Sequence, residues 1–471
     1  MRSINITEYL SNKGYCTVDN SFYSYIDQWM EWYQGKVEKF HNYNVYNGIQ
    51  TVKKERYSLG MAKRVSEDWA NLLMNEKVAI TCKKLKELED IFEYNNFNVR
   101  ANQLIELSYA LGTGALVEYL GQDDKIIIDY IRADMIYPLA WENGDITECA
   151  FGSNRKVDGK ECIYIQMHVL ENGKYTIKNR LVDSESGTEL EMDGIEPEVL
   201  TSSENPLFQI ITPNIVNNVD LDCPMGISVY ANAIDQLKGA DLIYDSYCNE
   251  FDLGKKRILV PASMAKVKLS SDGTMQPIFD SNDTTFYAMA DDSLTELKEI
   301  DMNIRAEEHE KGLQRGLNLL SSKCGLGNDR YSFEKGTAKT ATEVISEKSD
   351  LYQNLKKNEI PLKSALIGMV KGIAFLTGKG DVDVDIDFDD SIIEDNNAVV
   401  DRNIQLVSAE LKSRVSAIME IDKCDEKEAQ AELGKIRKES SVGGNEADMF
   451  NMDDGNQSDI EDAMDTGSDD E

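Results

Sequence analysis

The sequence predicts an α+β protein, because the two halves of the chain carry different patterns. Apolar residues recur at helical spacing in the first 80 residues, and alternating runs separated by Asn-Gly pairs fill residues 125–215. From Gly226 onward, long helical patterns dominate. At roughly 150 residues per domain, a chain of 471 residues is expected to form about three domains.

The chain is strongly acidic. Its 50 Lys and Arg residues against 85 Asp and Glu residues give a formal net charge of −35, and hydrophobic residues make up 41%. Such a surface repels phosphates of nucleic acids and anionic membranes. This excludes a basic protein that wraps DNA, but it allows a protein that touches DNA without holding it. The chain is long enough to bury a core without disulfides or a structural metal.

The sequence shows no targeting segment and no cysteine framework. The N-terminal residues lead into a polar run rather than the apolar core of a signal peptide. The most apolar late segment, 364–377, is short and carries Lys371, so no membrane span is predicted. The eight cysteines are scattered without a Cys-x-x-Cys pair. We therefore expect free thiols in a soluble protein made in a reducing cytoplasm.

Three helices are predicted before residue 112. The apolar positions of the first two are Tyr25, Trp29, Trp32 and Tyr33, then Met61, Val65, Trp69, Leu72 and Leu73. The third begins near Asn102, ends at Gly112 and is followed by a strand over 115–119. Gly112-Thr-Gly114 is not a dinucleotide-binding motif, since Val117 replaces its third glycine and a helix precedes the strand. A helix-capping glycine explains it.

A local basic patch stands out against the acidic chain. Its members are Lys53, Lys54, Arg56, Lys63 and Arg64. Such a patch is either a solvated face or a surface that meets an acidic neighbour, and the sequence alone leaves both open.

Residues 125–215 are predicted to form β-strands. Apolar or alternating runs lie at 125–128, 146–151, 162–170 and 175–182. Asn143-Gly144 and Asn172-Gly173 lie between such runs and have the chemistry of tight hairpin turns.

Two long helices with a small insertion between them are predicted after Gly226. Ser228 is the candidate N-cap of the first helix, which runs to about Phe251. The second helix runs over about 303–324. The insertion, 258–300, is predicted to form short strands and turns because prolines and a Ser-Asp-Gly turn interrupt it.

A glycine-containing loop, 325–339, joins the second long helix to a third. The sequence Gly-Thr-Ala-Lys at 336–339 does not supply the Gly-Lys-[Ser/Thr] of an ATP-binding loop. We therefore interpret the segment as a mobile loop between helices. A capping box at 340–343 starts the third helix, in which Pro361 is expected to introduce a kink.

An acidic strand, further helices and an acidic tail follow. Alternation in 381–390 places the apolar side chains on one face and the aspartates on the other. Because calcium sites usually fold a loop around the ion, straight alternation favours a solvated face, with cation binding as the open alternative. Helices are predicted over about 396–439. The tail, 445–471, carries 11 acidic and no basic residues and is expected to be disordered.

Short segments, together with the order of the elements, point to a known family. The segments are Tyr25-Ile-Asp-Gln-Trp29, Trp32-Tyr-Gln-Gly35, Glu55-Arg-Tyr-Ser-Leu-Gly-Met-Ala-Lys63, Asn102-Gln-Leu-Ile-Glu106 through Gly114, Thr340-Ala-Thr-Glu-Val-Ile-Ser346 and Asp387-Phe-Asp-Asp-Ser391. The chain resembles the portal proteins of tailed bacteriophages, in the branch common in phages and prophages of Gram-positive bacteria. The resemblance covers nearly everything up to about residue 440. Its specificity lies in the order and extent of these segments, none of which is catalytic.

The resemblance implies a ring-shaped homo-oligomer of about twelve subunits, each built from named parts. These are an α+β wing at 1–225, a first stem helix at 226–256, a small α/β clip at 257–300, a second stem helix at 301–325, a tunnel loop at 326–339, a long kinked wing helix at 340–377, a helical crown at 378–440 and a disordered acidic tail at 441–471.

The function that the resemblance implies is structural. The ring would occupy one capsid vertex of the virion, after assembly in the host cytoplasm, and form the channel for DNA packaging and ejection. Its partners would be double-stranded DNA, the terminase, the major capsid and scaffolding proteins and a head–tail adaptor, with no membrane, metal, cofactor or enzymatic activity. The DNA-facing loop residues would be Arg330, Tyr331, Phe333, Lys335 and Lys339. The clip residues that dock terminase and adaptor would be Lys266, Lys268, Asp272 and Phe279.

The chemistry of the residues agrees with this role. An acidic lining keeps a duplex off the channel wall, and a few loop cations make weak, transient phosphate contacts. A hydrolytic or nucleotide-dependent enzyme would need a phosphate loop, a metal cluster or a nucleophile–base pair, and the sequence contains no such motif. The alternative is another capsid-associated structural protein, such as a head–tail adaptor or a minor head protein.

Overall fold

The protein mixes helices and sheets, which confirms the predicted α+β class. The structure, a computed structural model, describes residues 5–46, 50–75, 78–121, 123–157, 159–192, 194–254, 257–261, 267–269, 275–277, 286–289, 298–300, 303–332, 341–388, 396–422, 424 and 426–443. At 253, the described residues between 257 and 300, 341–349, 396–399, 401 and 439–443 it describes the backbone alone. The chain divides into two compact units, Met1–Asp389 and Asp390–Glu471, and each is described by itself.

The helices of the described residues fall at both ends of a central β-rich stretch. They are α1 (Ile6–Asn12), α2 (Asn20–Tyr33), α3 (Glu38–His41), α4 (Met61–Leu73), α5 (Leu88–Tyr94), α6 (Phe97–Leu111), α7 (Ile234–Leu253), α8 (Ala306–Lys323), α9 (Ala341–Leu376), α10 (Asn396–Ser408), α11 (Arg414–Asp422) and α12 (Glu426–Gly443). The last three confirm the helices predicted over 396–439 and belong to the second unit.

The strands pair into several sheets. They are β1 (Asn42–Tyr46), β2 (Thr51–Glu55), β3 (Ala79–Cys82), β4 (Gly114–Leu120), β5 (Ile126–Arg132), β6 (Ile136–Glu142), β7 (Asp145–Val157), β8 (Lys160–Glu171), β9 (Lys174–Asp183), β10 (Glu189–Leu190), β11 (Glu198–Leu200), β12 (Phe208–Ile211), β13 (Arg257–Pro261), β14 (Val267–Leu269), β15 (Met275–Pro277), β16 (Phe286–Met289), β17 (Lys298–Ile300) and β18 (Val384–Asp387). The largest sheet has the order β10-β9-β8-β7-β6, with β11 also pairing with β9, and a second has the order β12-β4-β5.

Apolar helix faces form the core around these sheets. Trp29 and Trp32 of α2 are 2% and 3% exposed, and all five predicted apolar positions of α4 are buried. Tyr25 is 41% exposed, because the buried face of α2 runs through Phe22 and Ile26 instead. The predicted periodicity was therefore right for both helices and wrong for one residue of α2.

Tight turns and one glycine contact set the arrangement of the β-rich stretch. Asn143-Gly144 joins β6 to β7 and Asn172-Gly173 joins β8 to β9, each with positive φ at both residues, which confirms the two hairpins. Gly112 ends α6 with φ 90°. A Cβ on Gly112 would lie 2.4 Å from the carbonyl oxygen of Gly226, so the two backbones touch there.

The helix predicted to start at Ser228 starts later, so the predicted N-cap was wrong. A 3-10 turn at Ala231–Ala233 comes first, and α7 begins at Ile234. The reason is tertiary: the Val229 amide donates to the Tyr109 carbonyl at 3.0 Å, and the Tyr230 hydroxyl donates to the Trp29 carbonyl at 2.9 Å. These contacts hold the segment against α6 and α2, and the Ser228 hydroxyl accepts from the Tyr230 amide in a local turn.

The insertion between the long helices contains the predicted short strands. In the described backbone, β13 pairs with β16 in parallel and with β17 in antiparallel orientation, while β14 and β15 form a hairpin. The second long helix, α8, begins at Ala306 rather than near 303.

The acidic strand is present with the predicted alternation. Val382, Ile386 and Phe388 are at most 9% exposed, while Asp383, Asp385 and Asp387 are exposed. Its partner is β3, about 300 residues earlier in the chain, in an antiparallel two-stranded sheet. The acidic tail, from 444 onward, lies outside the described residues.

Two titratable side chains are buried beside β12. Glu118 of β4 is fully buried and neither carboxyl oxygen has a hydrogen-bond partner in the structure, so burial raises its pKa well above the usual range. A Cβ on Gly372 of α9 would lie 3.2 Å from Oε2 of Glu118. His168 of β8 is also fully buried, between the rings of Phe151 and Phe208, and burial lowers its pKa to about 3.

Candidate functional site

The loop that follows α8 begins at a fixed point in the fold. The indole nitrogen of Trp69, on α4, donates to the carbonyl of Cys324 at 3.0 Å. The side-chain amide of Asn354, on α9, donates to the carbonyl of Gly325 at 3.1 Å. The side chain of Leu326 is buried. Two helices of the body therefore hold the start of the predicted tunnel loop.

Gly325 is required at this point for two reasons. Its φ of 79° lies in the left-handed region that residues with a Cβ rarely adopt. A Cβ there would also lie 3.3 Å from Cζ2 of Trp69 and 3.4 Å from Nδ2 of Asn354. The close packing that anchors the loop leaves room for a glycine alone.

Arg330, the first predicted DNA-facing cation, is paired inside its own subunit. Its Nη2 lies 3.3 Å from Oδ1 of Asp68 on α4, and Arg64 meets the same oxygen at 3.3 Å. The Asp68 side chain is 2% exposed, whereas that of Arg330 is 32% exposed. The guanidinium thus fixes the loop to α4 and keeps part of its surface open, so its predicted contact with DNA stays a prediction.

Tyr331 lies near α8 and α4. Its carbonyl accepts from the side-chain amide of Gln314 at 3.3 Å. Burial of the phenol, next to Asp68, raises its pKa far above the usual value. Tyr331 thus packs within its own subunit, and its predicted DNA-facing role stays a prediction. Phe333, Lys335 and Lys339 lie outside the described residues, as does the N-cap at 340.

The predicted clip residues are only partly described. Lys268 lies on β14, where its backbone is in register with Gln276 of β15. Lys266, Asp272 and Phe279 lie outside the described residues. The predicted docking role of all four stays a prediction.

The long helix α9 is joined to the body at its proline. Pro361 has no amide hydrogen, so it cannot bond the carbonyl of Lys357 four residues earlier. That carbonyl accepts instead from the side-chain amide of Asn214 at 2.7 Å. Asn358 Oδ1 accepts from the Tyr109 hydroxyl and from the Asn214 amide, both at 2.9 Å. Pro361 thus leaves the Lys357 carbonyl free to accept from Asn214, and this bond joins α9 to the body. The predicted kink stays a prediction.

The first long helix, α7, is joined to the body by a buried carboxyl group. Asp241, which is 4% exposed, accepts from the Leu59 amide at 2.7 Å and the Ser58 hydroxyl at 3.1 Å. Nε2 of His41 lies 3.0 Å from its Oδ2. Because Nδ1 of His41 accepts from the Val37 amide at 3.0 Å, Nε2 carries the proton and donates to Asp241.

This cluster is not a hydrolytic site, although it contains a serine, a histidine and an aspartate. In a nucleophile–base pair the hydroxyl would donate to the imidazole. Here Ser58 and His41 both direct their protons to Oδ2 of Asp241, so neither can activate the other. Among the described residues, no group of three or more His, Cys, Asp or Glu side chains could hold a metal ion.

The two long helices are also joined to each other. Arg305, at the start of α8, donates to both carboxyl oxygens of Glu250 at 2.9 Å, and Nε2 of His309 lies 3.6 Å from Oε2. The Arg305 hydrogen bonds lower the pKa of Glu250 to about 2. Gly316 of α8 faces Ile243 of α7, so the helices approach closely along their length.

Sequence reasoning missed the Asp241 joint, although a signal was present. Asp241 and Asp245 follow Leu237 at intervals of four, so both lie on the apolar stripe of α7. Carboxyl groups on a buried stripe need donors. Asp245 finds one in the Tyr57 amide at 3.1 Å. No local pattern identifies these donors, because they lie more than 180 residues away.

The chain matches a known family over most of its length. A family model described as "Phage portal protein, SPP1 Gp6-like" matches residues 15–443. No curated protein matches the chain. Of the described helices, none is long and apolar enough to cross a membrane.

Two solved particle structures contain chains that are similar at low identity. One, described as "Neck of native GTA particle computed with C12 symmetry", aligns with a TM-score of 0.39 and 12% identity, covering 77% of this chain and 90% of that one. The other, "Virion of native gene transfer agent (GTA) particle", aligns with a TM-score of 0.38 and 13% identity, covering 86% and 95%. At this TM-score and identity, the two similarities support no statement about function. Any such statement rests on the family match.

Proposed function

Because the chain belongs to the SPP1 Gp6-like family of phage portal proteins, we propose that about twelve copies form a ring at one capsid vertex, with a central channel for the genome. The observation that carries this proposal is the family match over residues 15–443. The family is structural and not enzymatic, so the activity to test is assembly. The resemblance to its Gram-positive branch also favours a phage or prophage of such a host.

The long helices support a ring in which neighbours pack side by side. α7 and α8 are held together by the Glu250–Arg305 pair, yet apolar side chains remain on their outer surfaces. Leu242 is 48%, Phe251 45% and Leu319 63% exposed. In a ring, the stem helices of adjacent subunits would cover such side chains and remove apolar area from water.

The charge supports passage of DNA rather than retention. A net charge of −35 repels phosphates, and each phosphate that a channel neutralised would add affinity and slow the duplex. We place the tunnel loop, 326–339, at the channel wall, with Arg330 shared between Asp68 and passing phosphates. Lys335 and Lys339 would supply the remaining transient contacts.

The remaining parts follow the family order. The clip, 257–300, would dock the terminase during packaging and a head–tail adaptor afterwards, while wing and crown would contact capsid and scaffolding proteins. Replacing 262–298 by a short Gly/Ser linker should leave rings intact and abolish terminase binding in a pull-down. Retained binding would place the docking surface elsewhere.

Negative-stain microscopy of the purified protein tests the ring itself. We expect holed particles with about twelvefold symmetry, and native mass spectrometry should give the matching mass. A compact monomer under all conditions would contradict the portal assignment and favour a head–tail adaptor or minor head protein.

A further inference from the structure

Every side chain of the β1–β2 hairpin strands is exposed or half-buried against the described part of the chain. Lys53 and Lys54 lie on opposite faces of β2, and both are exposed. In the described part of the chain neither lysine has an ion-pair partner, whereas Arg56 at the hairpin base stacks on Phe40 and Tyr43. A two-stranded hairpin is marginally stable in water unless another strand or a helix covers it. The hairpin, here called the arm (42–46 and 51–55), is therefore structurally incomplete.

A second incomplete sheet lies elsewhere on the same unit. Among the described strands, β3 pairs with β18 alone. A groove of about 700 Å³ follows β3 and is lined by every residue from Val78 to Cys82. Of its described lining residues none belongs to β18, so it runs along the edge of β3 that β18 leaves unpaired. Its other wall is α5, with Phe92, Glu89 and Glu93.

The charges of the two incomplete sheets are opposite. Asp385 and Asp387 of β18 and Asp383 just before it are exposed, and no described ion pair involves them. Three nearby cations bind other atoms: Lys371 lies 3.8 Å from the Asp381 carboxyl, and Lys363 and Lys84 donate to main-chain carbonyls. Two further exposed lysines lie close by, since Lys83 directly follows β3 and Lys86 lines the groove, so the acidic character rests on Asp385, Asp387, Glu89 and Glu93. Glu89 and Glu93 are exposed on the opposite wall of the groove.

The side-chain alternation of β2 matches both walls. The register pairs Asp385 with Thr81, so the aspartates share the outer face of the β3–β18 sheet with small side chains. A strand added to β3 with Lys53 on that outer face would direct Lys53 toward the aspartates across those small residues. Val52 and Lys54 would then face α5, where Phe92 and Glu93 supply an apolar and an acidic contact.

We propose that the arm of one subunit lies in the β3 groove of the next, so that β2 pairs with β3 and neighbours share a four-stranded sheet. This rests on the proposed ring. A head-to-tail contact between two different surfaces is what a closed ring requires. The occupant is a second copy of this chain, because this chain supplies both a strand, β2, that pairs among the described strands with β1 alone and carries exposed lysines, and a strand edge, on β3, beside exposed carboxylates. Strand addition of this kind gives main-chain hydrogen bonds in addition to the charge pairs.

Charge reversal tests the contact directly. The arm variant carries Lys53→Glu and Lys54→Glu, and the groove variant carries Asp385→Lys and Glu93→Lys. Each alone should lower the ring fraction in native mass spectrometry at least about tenfold, because like charges then face each other. Mixed at equal concentrations they should form rings again, with the two chains alternating, and all four changes in one chain should also restore rings. The control, Lys160→Glu with Lys174→Glu, reverses two exposed lysines on the large sheet and should leave assembly unchanged.

The outcomes separate this contact from the ring itself. Wild-type rings together with normal rings from the arm variant would overturn the arm contact and leave the portal assignment standing; the exposed lysines would then have another partner, such as DNA. Loss of rings in both variants without rescue by mixing or by combination would also overturn it. A monomeric wild-type protein would overturn both proposals. Unchanged circular dichroism and melting temperature show that each variant is folded.

Discussion

Two buried carboxyl groups in the same unit differ in their hydrogen bonding. Asp241 joins α7 to the body through three donors, from Leu59, Ser58 and His41. Glu118 lies fully buried between β4 and α9 and has no hydrogen-bond partner in the structure. The first group positions parts of the fold that are far apart in sequence. The second fills space, and burial keeps it neutral by raising its pKa.

This difference in hydrogen bonding distinguishes the contact that joins α7 to the body from the packing of the core beside β12. At the joint, each oxygen of Asp241 has a donor, so the position of α7 is fixed by directional bonds. Beside β12, the neutral Glu118 and His168 contribute volume and no direction. We therefore expect mutations at the joint to affect assembly geometry and mutations beside β12 to affect mainly the pH dependence of stability.

The largest loss of stability is expected from removing the carboxyl group of Asp241, which leaves its donors unpaired as Glu118 is. Asp241→Ala removes the acceptor of three donors, the buried His41 imidazole and the half-buried Ser58 hydroxyl and Leu59 amide, which should cost about 3 kcal/mol in the free energy of unfolding, measured in urea. Asp235→Ala is the matched control, since the Asp235 side chain on the same helix is 87% exposed and should change stability by less than about 0.5 kcal/mol. Equal effects of the two variants would mean that the Asp241 joint does not stabilise the fold.

Removing the buried imidazole should stabilise the protein in acid. The folded pKa of His168 is about 3, below the unfolded value of 6.5, so wild-type stability falls as the pH drops below 6.5 and the unfolded chain takes up the proton. Relative to pH 7.5, His168→Leu should gain about 2 kcal/mol over the wild type at pH 5. Parallel stability curves between pH 7.5 and 5 would show that burial does not lower the pKa of His168 in the folded protein.

Replacing the buried carboxyl group should act in the opposite pH range. Because the folded pKa of Glu118 is raised, its stability contribution is fully present below about pH 4.5 and is lost as the pH rises toward the folded value. Glu118→Gln should therefore match the wild type near pH 4 and exceed it at higher pH, by up to about 1.4 kcal/mol per pH unit. Glu185→Gln, an exposed control, should follow the wild type throughout. A pH-independent difference for Glu118→Gln would indicate an ionised group in the folded protein.

The smallest effect on stability is expected at the loop, where the readout is functional. Arg330→Ala with Lys335→Ala should change unfolding by less than about 1 kcal/mol, because Arg64 still pairs with Asp68. Rings should assemble normally, while DNA packaging or retention in infectious particles should fall severalfold. Lys174→Ala, on the large sheet, should leave titre unchanged. Wild-type packaging by the loop double variant would contradict a DNA-facing loop.

Local patterns predicted most of the helices and hairpins. The apolar stripes of α2 and α4, the glycine end of α6 and the two Asn-Gly turns are confirmed, because each depends on neighbouring residues. The acidic strand was also predicted, yet its partner β3 was not. Pairing between residues 79–82 and 384–387 depends on the whole fold, and no local pattern specifies it.

The candidate site was less predictable for the same reason. The loop sequence indicated a glycine-rich connection, but it could not show that Arg330 would meet Asp68 on α4. Ser228 has the residue type of an N-cap, yet contacts with Tyr109 and Trp29 delay the helix to Ile234. In both cases a long-range contact overrides a local preference.

The hydrogen bonds that attach the loop determine which of its residues can be substituted. Its anchors accept through the main-chain carbonyls of Cys324 and Gly325, and the donors Trp69 and Asn354 belong to the body. Every amino acid carries that carbonyl, so the side chain at 324 does not decide whether the anchor forms. The side chains that make these two hydrogen bonds lie on α4 and α9, outside the loop. The attachment at 324 thereby persists whatever side chain stands there, whereas Gly325 and Arg330 make contacts that depend on the identity of the residue.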